Sequence, residues 1–190
     1  MLITTKAKGE ATKQRIINAT SELIHAHGYN ATGLNQIIKT SGAPKGSLYF
    51  HFPEGKEQIV EAALIASGAT ISLLMKQAFD QSDSQQQAIH KCIEFFKQEL
   101  ISTNFQKGCP VATVALEAAG EIPRIQNVCA NIYQEWQTLL QQRLGAANEE
   151  NANLILMLIE GALVLSKATK SVDPLVQCEK HLSALLSKNK

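Results

Sequence analysis

Between Pro44 and Lys56 the chain gathers side chains suited to meeting a polyanion. Lys45, Ser47, Tyr49, Phe50, His51 and Lys56 supply ammonium, hydroxyl, phenol and imidazole groups and one bare aromatic ring, and Gly46 leaves a gap among them. At helical spacing Leu48 and Phe52 turn inward and leave Lys45, Gly46, Tyr49 and Phe50 pointing out. Lys45 would reach a guanine edge or a phosphate, and Tyr49 a phosphate or a thymine methyl. Gly46 would let the backbone come close. His51 and, upstream, Thr32 are placed for phosphate contacts. Lys56 opens a helix, whose positive end adds to its ammonium and makes a phosphate site.

Helices must position these groups. Ile16, Ala19 or Thr20, Leu23 and His27 share one face of a helix read over about 10–27, which Gly28 stops. Thr32 reads as the N-cap of a second helix, 33–40, with Leu34, Ile37 and Ile38 inward. Ser41-Gly42-Ala43-Pro44 turns the chain: Gly42 suits the left-handed conformation, Pro44 the first position of a third helix, 44–52. Two short helices joined by a four-residue, glycine-containing turn form a helix-turn-helix unit. Its second helix fits the DNA major groove and its first braces across the backbone.

Beyond Pro53-Glu54-Gly55, helices are read at about 56–79, 84–103, from Gly108-Cys109-Pro110 onward, 123–144, 148–169 and 173–188, with 81–87 as a polar junction. No alternating run predicts a strand, and no repeat is present. The expected fold is all-α with about nine helices: a three-helix DNA-binding domain over 1–55 and a helical domain over 56–190.

Composition agrees with one ordinary globular chain. It has 190 residues, of which 45% are hydrophobic and 18% charged. The net charge of +1 excludes a uniformly basic coat. Residues 1–56 carry seven Lys/Arg against three acids, and residues 57–190 eleven against fourteen, so +4 faces −3. The apolar run 154–159 ends at Glu160, too short for a bilayer span, and the first residues lack the pattern of a signal peptide. Cys92, Cys109, Cys129 and Cys178 form no CxxC pair, which argues against a disulfide framework and against structural zinc. A soluble cytoplasmic protein with reduced thiols, no membrane partner, no metal and no cofactor is expected.

The run T-G-L-N-Q-I-I-K-T-S-G-A-P-K-G-S-L-Y-F-H-F-P-E-G-K-E-Q-I, residues 32–59, resembles the TetR family of transcriptional repressors over about 10–65. F-P-E-G-K-E, with G-C-P-V-A-T-V-A-L-E at 108–117, is similar to the LmrA/YxaF-like branch. The resemblance implies a homodimer that binds palindromic, double-stranded operator DNA and is released by a small-molecule inducer. It implies that the last two helices pair with their mates in a four-helix bundle. Leu154, Leu158, Gly161, Ala162, Leu165 and Ala168 make a stripe that permits close approach, with Leu175, Leu182, Leu185 and Leu186 as its mate. It also implies a ligand cavity in the C-terminal part. Phe95, Phe96, Phe105, Cys109, Trp136 and Met157 are the candidate lining for an apolar or aromatic inducer, and Gln134, Gln137, His90 and Glu117 the polar candidates.

Bland readings stand beside these. The four thiols read as small buried hydrophobes, although Cys109 at a helix start would also suit an electrophile or oxidant sensor, the alternative function. His25 and His27, two apart on a helix, point to different faces and make no metal pair. Residues 42–47 lack phosphate-loop spacing and follow no strand. No nucleophile–base pair or cofactor loop supports an enzyme.

Overall fold

The computed structural model describes residues 2–145 and 149–187. Among the described residues the chain forms nine helices and no strand: α1 Leu2–His27, α2 Leu34–Ser41, α3 Lys45–His51, α4 Lys56–Asp80, α5 Gln85–Ser102, α6 Pro110–Ala118, α7 Pro123–Leu144, α8 Glu149–Thr169 and α9 Asp173–Ser187. The expected bounds agree to a residue or two, except that α1 begins eight residues before Glu10. Asn148 and Lys188, read as helix bounds, lie outside the described residues.

Two compact units emerge: Met1–Gly68 with Pro110–Cys129, and Ala69–Cys109 with Ala130–Lys190. The first is built on Ile16, Leu23, Ile37, Ala43, Leu48, Phe52 and Ile59, with Ile17, Leu34, Ile38 and Ala62 packed around them. α2 and α3, of eight and seven residues, are too short to stand alone, so this shared burial holds them. Ser21 Oγ adds a hydrogen bond to the Ala63 carbonyl, 3.2 Å, joining α1 to α4. His27, placed by periodicity on the buried face, is exposed.

Two turns set the geometry of this unit. Gly28 ends α1 at φ 79° and Gly42 ends α2 at φ 61°, both left-handed. Ser41 Oγ accepts from the Ala43 amide at 3.2 Å and steadies the second turn. Pro44 caps α3 instead of entering it, and its carbonyl accepts from Ser47 and Leu48. Thr32 is not a cap. Gly33 holds the N-cap position of α2 with no side-chain bond, and the Thr32 hydroxyl turns back to donate to the Gly28 carbonyl at 2.8 Å.

In the second unit α5, α8 and α9 pack together. Leu175, Leu182 and Leu186 of α9 are buried in this core. Ser72 Oγ donates to Glu135 at 3.1 Å, and Arg143 meets Asp80 at 2.7 Å. α5 ends in a left-handed turn at Asn104 and Phe105, where the Phe105 amide reaches the Leu100 carbonyl at 2.7 Å.

By length and composition α4 and α8 both qualify as bilayer spans. The unbroken apolar run sought in the sequence misses this, because isolated polar residues interrupt both helices. In α4, 44% of the apolar window is enclosed by the protein, but in α8 only 28%. Leu154, Met157, Val164 and Leu165 of α8 stay exposed among the described residues.

Gly28 also lacks room for a side chain. A Cβ there would lie 2.0 Å from Glu117 Oε1 of α6. Gly28→Ala should therefore lower stability by about 1–2 kcal/mol, the cost of a left-handed alanine with its neighbour pushed aside. Urea unfolding measures this; an unchanged midpoint would mean that neither conformation nor space constrains the turn.

Candidate functional site

The outward surface of α3 carries the expected groups. Lys45, Gly46, Tyr49 and Phe50 are exposed, Phe50 to 81%, an unusual position for so large an apolar ring. Ser47 and His51 are half-buried. The His51 ring lies edge-on to Phe50, centroids 5.1 Å apart, and 3.8 Å from where a Cβ on Gly9 of α1 would stand. A Cβ on Gly46 would meet nothing within 4 Å. The fold itself thus makes no demand for glycine there, and the free space lies outside, where a partner's backbone would approach.

Two sequence candidates are held elsewhere. Thr32 is fully buried, so its hydroxyl serves the α1–α2 turn and offers no surface to a phosphate. Lys56 is half-buried, with Nζ 4.0 Å from the Tyr29 ring centroid. Burial lowers its pKa and Glu117 partly offsets that. The sequence did not single out Arg15. It is exposed on α1 beside Gly42, with Nη1 4.0 Å from a Cβ built there, and so adds a fixed charge to the edge of the helix-turn-helix. Its signal was the charge excess of the first 56 residues.

Glu117 was a candidate for the ligand region. It lies instead in the first unit, where its carboxylate accepts from the Asn30 amide at 2.9 Å. Arg124 of α7 pairs there with Glu54 and, at 3.6 Å, with Glu61. The α1–α2 turn and the α3–α4 turn are thus both tied to chain that comes after residue 109.

In the second unit the six lining candidates differ in exposure. Phe96, Cys109 and Trp136 are buried, and Phe105 is half-buried in its loop. Phe95 is 39% exposed, and Met157, at 63%, stands on the uncovered face of α8. The dimer candidates divide too. Leu154 and Leu165 are exposed with Gly161, and Leu158 and Leu185 are half-buried. Ala162 of α8 is buried, and so are Leu175 and Leu182, because α9 spends its leucine stripe on the core of its own chain. The free face of α8 is formed by Leu154, Met157, Gly161, Val164 and Leu165.

Of the polar candidates, Gln134 is exposed, Gln137 is half-buried, and His90 bonds Glu179 at 2.6 Å. His90, Glu94 and Glu179 bring three ligand-type groups within 4.8 Å of one another. Lys97 already supplies the cation, pairing with Glu94 and lying 4.0 Å from Glu179. Burial pushes the thiols of Cys92, Cys129 and Cys178 up to about 12, 11 and 11, so they stay protonated and unreactive.

Sequence reading passed over Glu160 as a candidate. Cys109 and Tyr133 hydrogen-bond its carboxyl group, while its enclosed Oε2 meets no donor among the described residues. Burial raises its pKa from 4.5 to about 7, and the two hydrogen bonds only partly counter this. The signal was a lone acid inside the apolar stretch 154–165.

A raised carboxyl pKa means that the folded protein binds the proton more tightly than the unfolded chain does. This stabilises the fold fully below about pH 4.5 and is lost as pH rises to about 7. Glu160→Gln, which stays neutral, should gain about 1–3 kcal/mol over wild type at about pH 8, and the gain should vanish near pH 4.5. Thermal melts across that range measure it; a pH-independent difference would contradict the assignment.

Comparison with known proteins adds a second line of observation. The profile "Bacterial regulatory proteins, tetR family" matches residues 16–63, and "Transcriptional regulator LmrA/YxaF-like, C-terminal domain" matches 86–181. The HTH-type regulator YxaF of Bacillus subtilis is 35% identical over 183 residues, 93% of this chain and 96% of that one. LmrA of the same organism is 30% identical over 183 residues, covering 93% and 97%. A TetR regulatory protein from Rhodobacter sphaeroides superposes with a TM-score of 0.81 over 90% of this chain and 96% of that one, at 21% identity, a likeness of fold alone. These are regulators and not enzymes. A helix-turn-helix with an exposed reading face, joined to this C-terminal domain, places the chain in the TetR family of bacterial transcriptional regulators, in its LmrA/YxaF-like branch.

Proposed function

We propose that this regulator represses transcription as a homodimer bound to a palindromic operator and is released by a small apolar or aromatic inducer. Residues 1–55 would read the DNA, and 56–190 would bind ligand and dimerise. The observation that carries the reading is the surface of α3: two enclosed anchors, Leu48 and Phe52, beneath exposed Lys45, Gly46, Tyr49 and Phe50. A seven-residue helix with so little of itself buried has its outer side free for a groove.

The uncovered face of α8 supports the dimer. Leu154, Met157, Val164 and Leu165 are too apolar to be left in water, and Gly161 between them permits close approach. A second copy of the chain is the matching cover, and a two-fold pair would match two half-sites about one DNA turn apart. For release, α4 and α7 are helices that continue from one compact unit into the other. They are the chain segments along which an event in the second unit would reach the first. The site of action is the cytoplasm, where the operator lies.

The burial of Cys109, 3% exposed, and its bond to Glu160 count against electrophile sensing. Release of DNA by an electrophile in wild type but not in Cys109→Ser would restore that reading.

Lys45→Ala and Tyr49→Ala should each weaken operator binding by about 1–3 kcal/mol. Lys76→Ala, exposed on α4 in the second unit, should leave it unchanged. Fluorescence anisotropy on a labelled operator measures all three; wild-type affinity in both α3 variants would remove α3 from the interface.

A further inference from the structure

Glu160 is the one acid in the stretch Leu-Ile-Leu-Met-Leu-Ile-Glu-Gly-Ala-Leu-Val-Leu. An ionised carboxylate has lone pairs for about four donors. Here two neutral donors serve it, the Cys109 thiol and the Tyr133 hydroxyl. Its Oε2 is shut away from solvent and paired with nothing among the described residues. Such an arrangement is costly, because a buried acceptor forfeits its hydration without replacement. Ordinary core packing gives no reason for an acid at this position: a leucine or glutamine would fit the helix at less cost.

The surroundings narrow what would satisfy it. Tyr133, which holds the carboxylate, also sets its ring at right angles to the buried Trp136, centroids 5.5 Å apart. A carboxylate held by a tyrosine whose ring packs on a tryptophan brings a negative charge and apolar aromatic surface close together, which is chemistry for a cation on an apolar body. No positively charged side chain is paired with this carboxylate among the described residues, unlike Glu94 and Glu179, which share Lys97.

We infer that Glu160, with Tyr133 and Trp136, is the recognition site for a protonated amine carried on an aromatic or aliphatic inducer. The ammonium donates to Oε2, and the apolar body lies against the Tyr133–Trp136 pair. This inference rests on the reading of the C-terminal part as the inducer-binding domain and specifies its ligand class. Glu160 supplies the charge, and Cys109 and Tyr133 fix the orientation of the carboxylate.

Trp136 is the only tryptophan in the chain, so its fluorescence reports the site directly. Para-butylbenzylamine and its neutral counterpart para-butylbenzyl alcohol are titrated against the unliganded full chain, without DNA, at about pH 8, where the carboxylate is ionised. The expected result is quenching by the amine at about tenfold lower concentration than by the alcohol. In Glu160→Gln, checked for a cooperative melt, the two compounds should become equal. On the unmutated protein, lowering the pH to about 5 should shrink the preference in the same way, so the test does not depend on the variant folding. Equal quenching by both compounds in wild type, quenching by neither, or an amine preference that survives in Glu160→Gln overturns the inference. Operator binding, measured separately without either compound, tests the regulatory reading. Intact operator binding with no amine preference removes the ligand site alone, and an amine preference with no operator binding removes the repressor reading alone.

Discussion

The burial of Leu48 and Phe52 is the contact on which the DNA-reading surface depends. α3 has seven residues, too few to be helical in water unaided. Its two inward side chains enter a core with Ile16 of α1, Ile37 of α2 and Ile59 of α4. Loss of that burial would remove the helix itself, and with it the fixed display of Lys45, Tyr49 and Phe50. Gly42 and Ser41 then set the angle at which α3 leaves α2, one by its left-handed backbone and the other by a hydrogen bond across the turn. The outer face is free to be chosen for a partner because it contributes so little to the fold.

The same compact unit takes in chain from far along the sequence. α6 and the first turns of α7 belong with α1–α3, and Glu117 and Arg124 fasten them to the two turns that frame the helix-turn-helix. Gly28 is required both by its backbone conformation and by the carboxylate that occupies the place of its side chain. Cys109, immediately before α6, belongs to the other unit, where it holds Glu160.

Much of this was legible in the sequence, because helix bounds follow local signals. Ser84, Pro123 and Asp173 mark the starts of α5, α7 and α9, and Gly28 and Gly42 the ends of α1 and α2. The inward anchors of α3 also followed from spacing. Errors arose where a residue's role depends on what faces it. A leucine stripe looks the same whether it meets a partner or its own chain, so Leu175 and Leu182 were assigned outward although they fill the core. Thr32 has the right type for a cap, but one residue of offset gave that position to Gly33 and turned the hydroxyl backward. Lys56 has the right charge for a phosphate, but Tyr29 and Glu117 were invisible as neighbours. Glu160 was noticed only as an interruption in an apolar run.

The central claim is that the outer face of α3 reads a specific operator. Its most direct test is capture of fragmented genomic DNA from the source organism by the purified protein, sequenced after washes at two salt concentrations. The account predicts a few recovered sites that share a palindrome, with half-sites about one helical turn apart, and that survive the higher salt. Random fragments that are lost as salt rises would show charge attraction without recognition and would contradict it.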